Sequence, residues 1–281
     1  YSVSYDERRN SFTVTTGYMR GSVATLSYED KIETTGWGQI RLHTSRAFPD
    51  QVQAMAAGFI EGYVEYERIS QHISNIRAIN FLGKPIPEGI TTYLSQQIEF
   101  IRSMVLNPPA GEEKYWKHVG LMMDQLEGMM MGYNEVAPES ERISFQDLYM
   151  HNADGDMETL LDIYRPDERE WLEMLDCSAL VRMTSDGEIY MGHATWRNYA
   201  AMLRHYKFYE FQFSDGEVRL SFSASPGFIN SKDDFYVNGY GIGSMETTNA
   251  IFDEKLYKYC TPNTVPSFIR SQVCNVLAKD P

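Results

Sequence analysis

Cys177 is the residue whose position in the chain most readily supports covalent chemistry. It follows Asp176 and opens a run, Ser178 to Met183, that reads as a β-strand. A turn signal, Ser185-Asp186-Gly187, leads into a returning strand, Glu188 to His193, with Trp196 just beyond. A thiol so placed can attack the Asp176 carbonyl that precedes it, forming a thioester. Water then opens the thioester and leaves Cys177 as a new N-terminus. The freed α-amine, with a pKa near ~7.7–8 in model peptides, can accept the thiol proton. Nucleophile and base are then one residue, and no separate histidine is required. The residues alone also allow a plainer account. A cysteine before a strand commonly serves as a small buried hydrophobe, His193 as a hydrogen-bonded structural residue and Trp196 as core.

Rival chemistries find little support. Asn152, Asp154 and Asp156 imitate the start of a calcium loop, but Gly155 and Met157 fall out of place and Ile163 occupies the twelfth position, where a glutamate belongs. Gly239, Gly241 and Gly243 fail to complete a dinucleotide fingerprint, because Ser244 stands where the last glycine is needed. There is no Gly-X-Ser-X-Gly, His-Glu-X-X-His or Cys-X-X-Cys motif. No metal or cofactor is therefore expected. The formal net charge of -14 and the lack of a basic stripe argue against a nucleic-acid partner. The same charge disfavours anionic membrane surfaces. No apolar run approaches the length of a transmembrane helix, and the opening Tyr1-Ser2-Val3-Ser4 reads as a processed start without a signal peptide. Three cysteines, Cys177, Cys260 and Cys274, are too few for a disulfide scaffold. There is no Asn-X-Ser/Thr glycosylation acceptor.

The elements that must position Cys177 follow from periodicity. Ser11 to Thr15, Ser22 to Tyr28 and Trp37 to Leu42 read as strands. Asp50 is expected to cap a long helix whose apolar residues run from Met55 to Ile69. Helices are predicted over Tyr93 to Leu106 and Tyr115 to Tyr133, the second crowded with methionines suited to gap-filling in a core. Ser144 to Tyr164 is expected to be helical with an interruption at 152–156. A short helix is expected over Tyr199 to Tyr209. Strands are expected over Val218 to Ser223, Phe235 to Asn238 and Ile242 to Thr247, and a helix at the end of the chain. With 281 residues and 43% hydrophobic content the chain can bury a large core. Helices followed by strands predict an α+β fold around a mostly antiparallel sheet.

Several segments taken together resemble the phospholipase B-like family. They are Ala56 to Tyr63, Asn152 to Glu158, Asp176 to Val181, Gly192 to Trp196, Tyr199 to Arg204, Ser225 to Phe228, Asp233 to Tyr236 and Glu246 to Asn249. The resemblance runs from near residue 10 to the end, and its motifs are specific jointly rather than singly. It implies an N-terminal nucleophile hydrolase with an αββα sandwich, made for the secretory route and found outside the cell or in the lysosomal lumen. It implies a cut between Asp176 and Cys177. Residues 1–176 would then be an N-terminal chain or pro-region, and 177–281 the start of the nucleophile-bearing chain. By position, Cys177 is the nucleophile and His193 its catalytic neighbour, while His193 and Trp196 line the pocket. Thr247, Thr248 and Asn249 are looser candidates for substrate or oxyanion contacts. The hairpin between Cys177 and His193 is one residue shorter than the usual family form. The expected substrate is a fatty-acyl ester of a phospholipid. An amide substrate, or a non-catalytic lumenal binding role on the same fold, is the alternative. Family members are considerably longer, so the fold would remain incomplete here and a further C-terminal segment would be its partner.

Overall fold

His205, Lys207, Tyr209, Phe211 and Phe213 are all buried, while the residues between them are half-exposed. That period of two marks a strand with one covered face. In the computed structural model, which describes residues 1–165, 177–232, 235–248 and 251–280, this strand is β7 (His205–Phe213) and lies near the middle of an eight-stranded sheet. The other members are β1 (Ser2–Asp6), β2 (Ser11–Thr15), β3 (Ala24–Glu29), β4 (Gly38–Thr44), β8 (Gly216–Ala224), β9 (Phe235–Asn238) and β10 (Gly243–Met245). The order is β10-β9-β8-β7-β4-β3-β1-β2. All pairings are antiparallel except β4 with β7, which run parallel. A separate two-stranded sheet pairs β5 (Cys177–Met183) with β6 (Ile189–Thr195). The α+β expectation holds, with this one parallel join in a mostly antiparallel sheet.

The helices are α1 (Ile32–Thr35), α2 (Asp50–Val64), α3 (Tyr66–Phe81), α4 (Glu88–Leu106), α5 (Glu113–Val136), α6 (Phe145–Asn152), α7 (Asp154–Tyr164) and α8 (Ser267–Leu277). Two apolar clusters hold the layers. One joins the inner face of the sheet to α2 through Ile40, Leu42, Phe59, Ile60 and Phe222. The other binds α3–α8 together around Leu126, Met129, Tyr149 and Phe268.

Helices α2 and α5 meet backbone to backbone. Gly58 and Gly62 on α2 face Gly128 and Gly132 on α5, each pair spaced to lie on one helix face. A Cβ at Gly132 would sit 1.9 Å from the Phe59 carbonyl oxygen, and one at Gly58 would sit 1.8 Å from that of Gln125. Only hydrogen fits there. On its other side α2 sends Glu61 into the sheet. This fully buried carboxylate accepts from Lys207 Nζ at 2.5 Å and from the Tyr209 hydroxyl at 2.5 Å. Lys207 also donates to the Phe228 carbonyl at 2.8 Å. At the α2–α3 junction, Glu65 Oε1 lies 2.7 Å from His205 Nδ1, both buried.

Three expectations are corrected. The helix over Tyr199 to Tyr209 is absent; a single 3-10 turn at Tyr199–Ala201 is followed by β7. The polar Lys207 and His205 at buried positions masked the alternation, because they are buried against Glu61 and Glu65, acidic neighbours that the local sequence does not show. Asp50 does not cap its helix. It is the first helical residue, and its carboxylate accepts from the Ser214 N–H and hydroxyl instead. The long first helix is two, broken at Glu65. In addition, the N-terminus forms β1, pairing with both β2 and β3.

Two outcomes follow for stability. Gly132→Ala forces α2 and α5 apart and should cost at least about 2 kcal/mol in denaturant unfolding; wild-type stability would refute the contact. Lys207→Met strands the buried Glu61 charge and should cost roughly 3–5 kcal/mol, part of which Glu61→Gln in the same chain restores.

Candidate functional site

The β5–β6 hairpin lies over the outer face of the large sheet, opposite α2. Register places Cys177 across from Thr195 and Ala179 across from His193. Alternation puts all four side chains on one face of the hairpin. His193 and Thr195 on that face look onto Tyr206 and Ser223, cross-strand partners on β7 and β8, and onto Phe235 of β9. Between the two layers His193, Thr195, Trp37, Arg204, Tyr206, Ser223 and Phe235 wall a cleft of about 400 Å³, and Cys177 is not part of that wall.

His193 is fixed at both ring nitrogens. Nε2 lies 2.9 Å from the Glu246 carbonyl oxygen, and Nδ1 lies 3.3 Å from the Thr195 hydroxyl. Cys177 is half-buried at the end of the hairpin away from its turn. The exit of the hairpin is anchored by Arg197, which forms a buried ion pair with Asp154 at the start of α7. Asn80 donates to the same carboxylate at 3.0 Å. Burial alone would raise the pKa of Asp154, but the charges of Arg197 and Lys232 hold it well below the ordinary carboxylate range.

The other expected residues are more scattered. Trp196 is 59% exposed and does not form part of the cleft wall around His193. Thr247 is exposed. Thr248 and Glu246 border a neighbouring cavity of about 450 Å³, whose polar wall includes Asn230, Lys232, Ser267 and Arg270. Glu246 thus touches both spaces, through its carbonyl to His193 and through its place in the second wall. Asp176 and Asn249 lie outside the described residues, as do Asp233 and Asp234. The calcium-like residues are engaged in packing. Asn152 bonds the Leu148 and Gly227 carbonyls and the Ile229 N–H, and Asp156 accepts from the Ser267 N–H and hydroxyl. Among the described residues no group of three side chains could hold a metal ion, and no helix is long and apolar enough to cross a membrane.

A buried histidine pair supports the loop 225–228 beneath this region. His72 Nδ1 and His151 Nε2 are 3.1 Å apart, and Phe228 packs its ring against both. His151 also reaches the Pro226 carbonyl. Neither His72 nor His151 was marked by any motif. Their spacing of 79 residues gives no local signal. Thr195 lies in the Gly192 to Trp196 segment but carries no expected role; its place opposite Cys177 comes from the hairpin register.

The sequence of residues 24–281 matches the family model for phospholipase B. The chain belongs to that family. It is 36% identical over 288 residues to phospholipase B-like protein G of Dictyostelium discoideum, covering 89% of this chain and 47% of the relative. It is 31% identical to phospholipase B-like 1 of Rattus norvegicus, covering 90% of this chain and 48% of that protein. Phospholipase B of Crotalus adamanteus is 29% identical over 99% of this chain and 54% of its own length. The chain spans about half the length of the curated relatives it matches.

The histidine pair makes stability depend on pH. Burial pushes His151 down to about 4, and His72 is lowered for the same reason, with the other imidazole adding to it. The unfolded chain, with histidines near ~6.5, binds protons more readily than the fold does. Stability is therefore complete above about pH 6.5 and is lost as pH falls from there towards 4. His151 alone should account for roughly 3 kcal/mol of that loss. Denaturant unfolding of wild type and His151→Gln between pH 7.5 and 4.5 checks this; equal pH dependence in both would refute it.

Proposed function

We propose that this chain carries the nucleophile of a phospholipase B-like acyl hydrolase, and that the nucleophile is Cys177. The observation that carries the reading is the first residue of β5. There a half-buried thiol shares a hairpin face with Thr195 and His193, in a member of the phospholipase B family. A cut before Cys177 frees its α-amine, which takes the thiol proton. The thiolate adds to a fatty-acyl carbonyl, nearby donors hold the oxyanion, and the ammonium protonates the leaving group. Water then releases the fatty acid from the acyl-enzyme. The substrate class we favour is the acyl ester of a phospholipid, handled in a secreted or lysosomal setting.

The layer order supports an αββα sandwich. Helix α2 covers one face of the large sheet and the β5–β6 hairpin begins a second sheet on the other. Leu180 and Tyr190 on that hairpin remain exposed. We assign the strands that cover them, and the remaining oxyanion donors, to the part of the family's length that these 281 residues do not span. Trp196, Thr247, Thr248 and Asn249 stay candidate substrate contacts within that completed site.

The test is the full-length protein as wild type and Cys177→Ala. Wild type should appear as two chains, the larger beginning with Cys177, and should release fatty acid from phosphatidylcholine. Cys177→Ala should stay whole and release none, a loss of at least ~10³-fold. Identical cutting and release in the two proteins would end the proposal.

A further inference from the structure

Two cations, Lys232 and Arg270, stand in the wall of the cavity of about 450 Å³ beside the His193 cleft. Glu246 joins the two spaces, accepting from His193 through its carbonyl and lining the cavity itself. Lys232 reaches the wall over Gly155. A Cβ at Gly155 would lie 3.5 Å from Lys232 Nζ and 3.3 Å from Ser267 Oγ, so the bare glycine is what leaves both groups room. The ion pair of Lys232 with Glu158 is long, at 3.5 Å. Arg270 is exposed and forms no ion pair among the described residues. A guanidinium presents a planar fork of donors that matches the oxygens of a phosphate.

The acids on the same wall are accounted for. Asp156 Oδ2 already accepts from the Ser267 N–H at 2.9 Å and from its hydroxyl at 3.0 Å. With Asp156 and Glu246 set against Lys232 and Arg270, the wall is close to neutral. Such a wall favours a ligand carrying both signs over a bare anion. Asn230, only 4% exposed, also lines the cavity, and its amide oxygen has no hydrogen-bond partner. An orphaned buried polar atom marks a place where a further polar group belongs. Arg270 and Asp156 also border a second cavity of about 560 Å³, lined by Tyr93, Phe100 and Tyr115. A cleft suited to an ester, a charged cavity and an aromatic cavity thus follow one another. A molecule with an ester, a zwitterionic head and a long apolar chain matches that order.

We propose that the charged cavity takes the zwitterionic phosphodiester headgroup of the substrate, and that Arg270 and Lys232 bind its phosphate. These two residues then select phospholipids over neutral esters. The inference rests on the reading of the adjoining cleft as an acyl-hydrolase site and deepens it.

The experiment uses the full-length protein and two monomeric substrates with the same short acyl chains, a phosphatidylcholine and a diacylglycerol that lacks the headgroup. Wild type, Arg270→Met, Arg270→Lys and Lys232→Met are compared. Each Met variant should raise KM for the phosphatidylcholine at least ~10-fold, the scale of one charge-assisted hydrogen bond, and leave kcat within about threefold. KM for the diacylglycerol should stay within about twofold of wild type. Arg270→Lys keeps the charge but loses the fork, and should fall between. A wild-type KM for phosphatidylcholine in both Met variants overturns the inference. So does an equal rise for both esters, since the cations would then not read the headgroup.

Glycerophosphocholine, the headgroup without acyl chains, separates this inference from the assignment of the nucleophile. It is titrated by calorimetry into wild type and Arg270→Met, beside inorganic phosphate. Binding at least ~10-fold weaker in Arg270→Met supports the cavity whatever Cys177 does. Equal binding to both proteins, or none to wild type, overturns it. Inorganic phosphate bound as tightly as glycerophosphocholine overturns the headgroup in favour of a free-phosphate site. Hydrolysis of phosphatidylcholine by Cys177→Ala at the wild-type rate overturns the nucleophile assignment, and the titration then decides the cavity alone.

Discussion

The contact on which the layers depend is the one between α2 and α5, where four glycines let two helix backbones touch. It leaves no side-chain layer between them. Helix α2 is therefore held at a fixed depth, with α5 behind it and the sheet in front. From that position Glu61 reaches Lys207 and Tyr209 on β7, and Gln53 reaches the hydroxyl of Thr44 on β4 and the Gln212 carbonyl. The two strands that form the parallel join are thus both tied to the same helix. A shift of α2 by even the width of a methyl group would part the buried Glu61 carboxylate from Lys207, and interiors do not tolerate that.

The same depth decides what happens on the far side. With the inner residues of β7 committed to α2, the outer ones, Tyr206 and Phe208, are left to face away from it. The hairpin bearing Cys177 lies over that outward face. Its hold on the rest is partly ionic, through Arg197 and Asp154, and partly through the His193 bond to Glu246. Rigid sheet below and anchored hairpin above give the cleft two walls whose positions are set independently of any ligand, as pre-organised chemistry requires.

Most of the elements could be read from the sequence where one face was apolar. Ser11 to Thr15, the β5–β6 hairpin and the helices now seen as α4 and α5 announced themselves by period. The central strand did not, because Lys207 is buried by charge pairing with Glu61 and His205 is buried beside Glu65, neighbours more than 130 residues away in sequence. The glycines at 58, 62, 128 and 132 carry the spacing of a close helix crossing, a signal present in the sequence but legible only once both helices are known to meet. The site divides in the same way. Cys177 and His193 follow from strand order, and Thr195 follows from register. Arg197 with Asp154, and His72 with His151, come together only through tertiary folding.

The parallel join of β4 and β7 has one more consequence. Among the described residues those before the proposed cut contribute β1 to β4 to the large sheet and those after it contribute β7 to β10, so the sheet is shared between the two sides. A severed molecule would keep its shape through a ladder that no longer lies within one covalent strand of chain. Once melted, its two pieces would have to find each other by diffusion, and dilution would oppose their reunion. Durability of the mature protein would then reside in the height of the barrier to coming apart, and heat inactivation would be a one-way event.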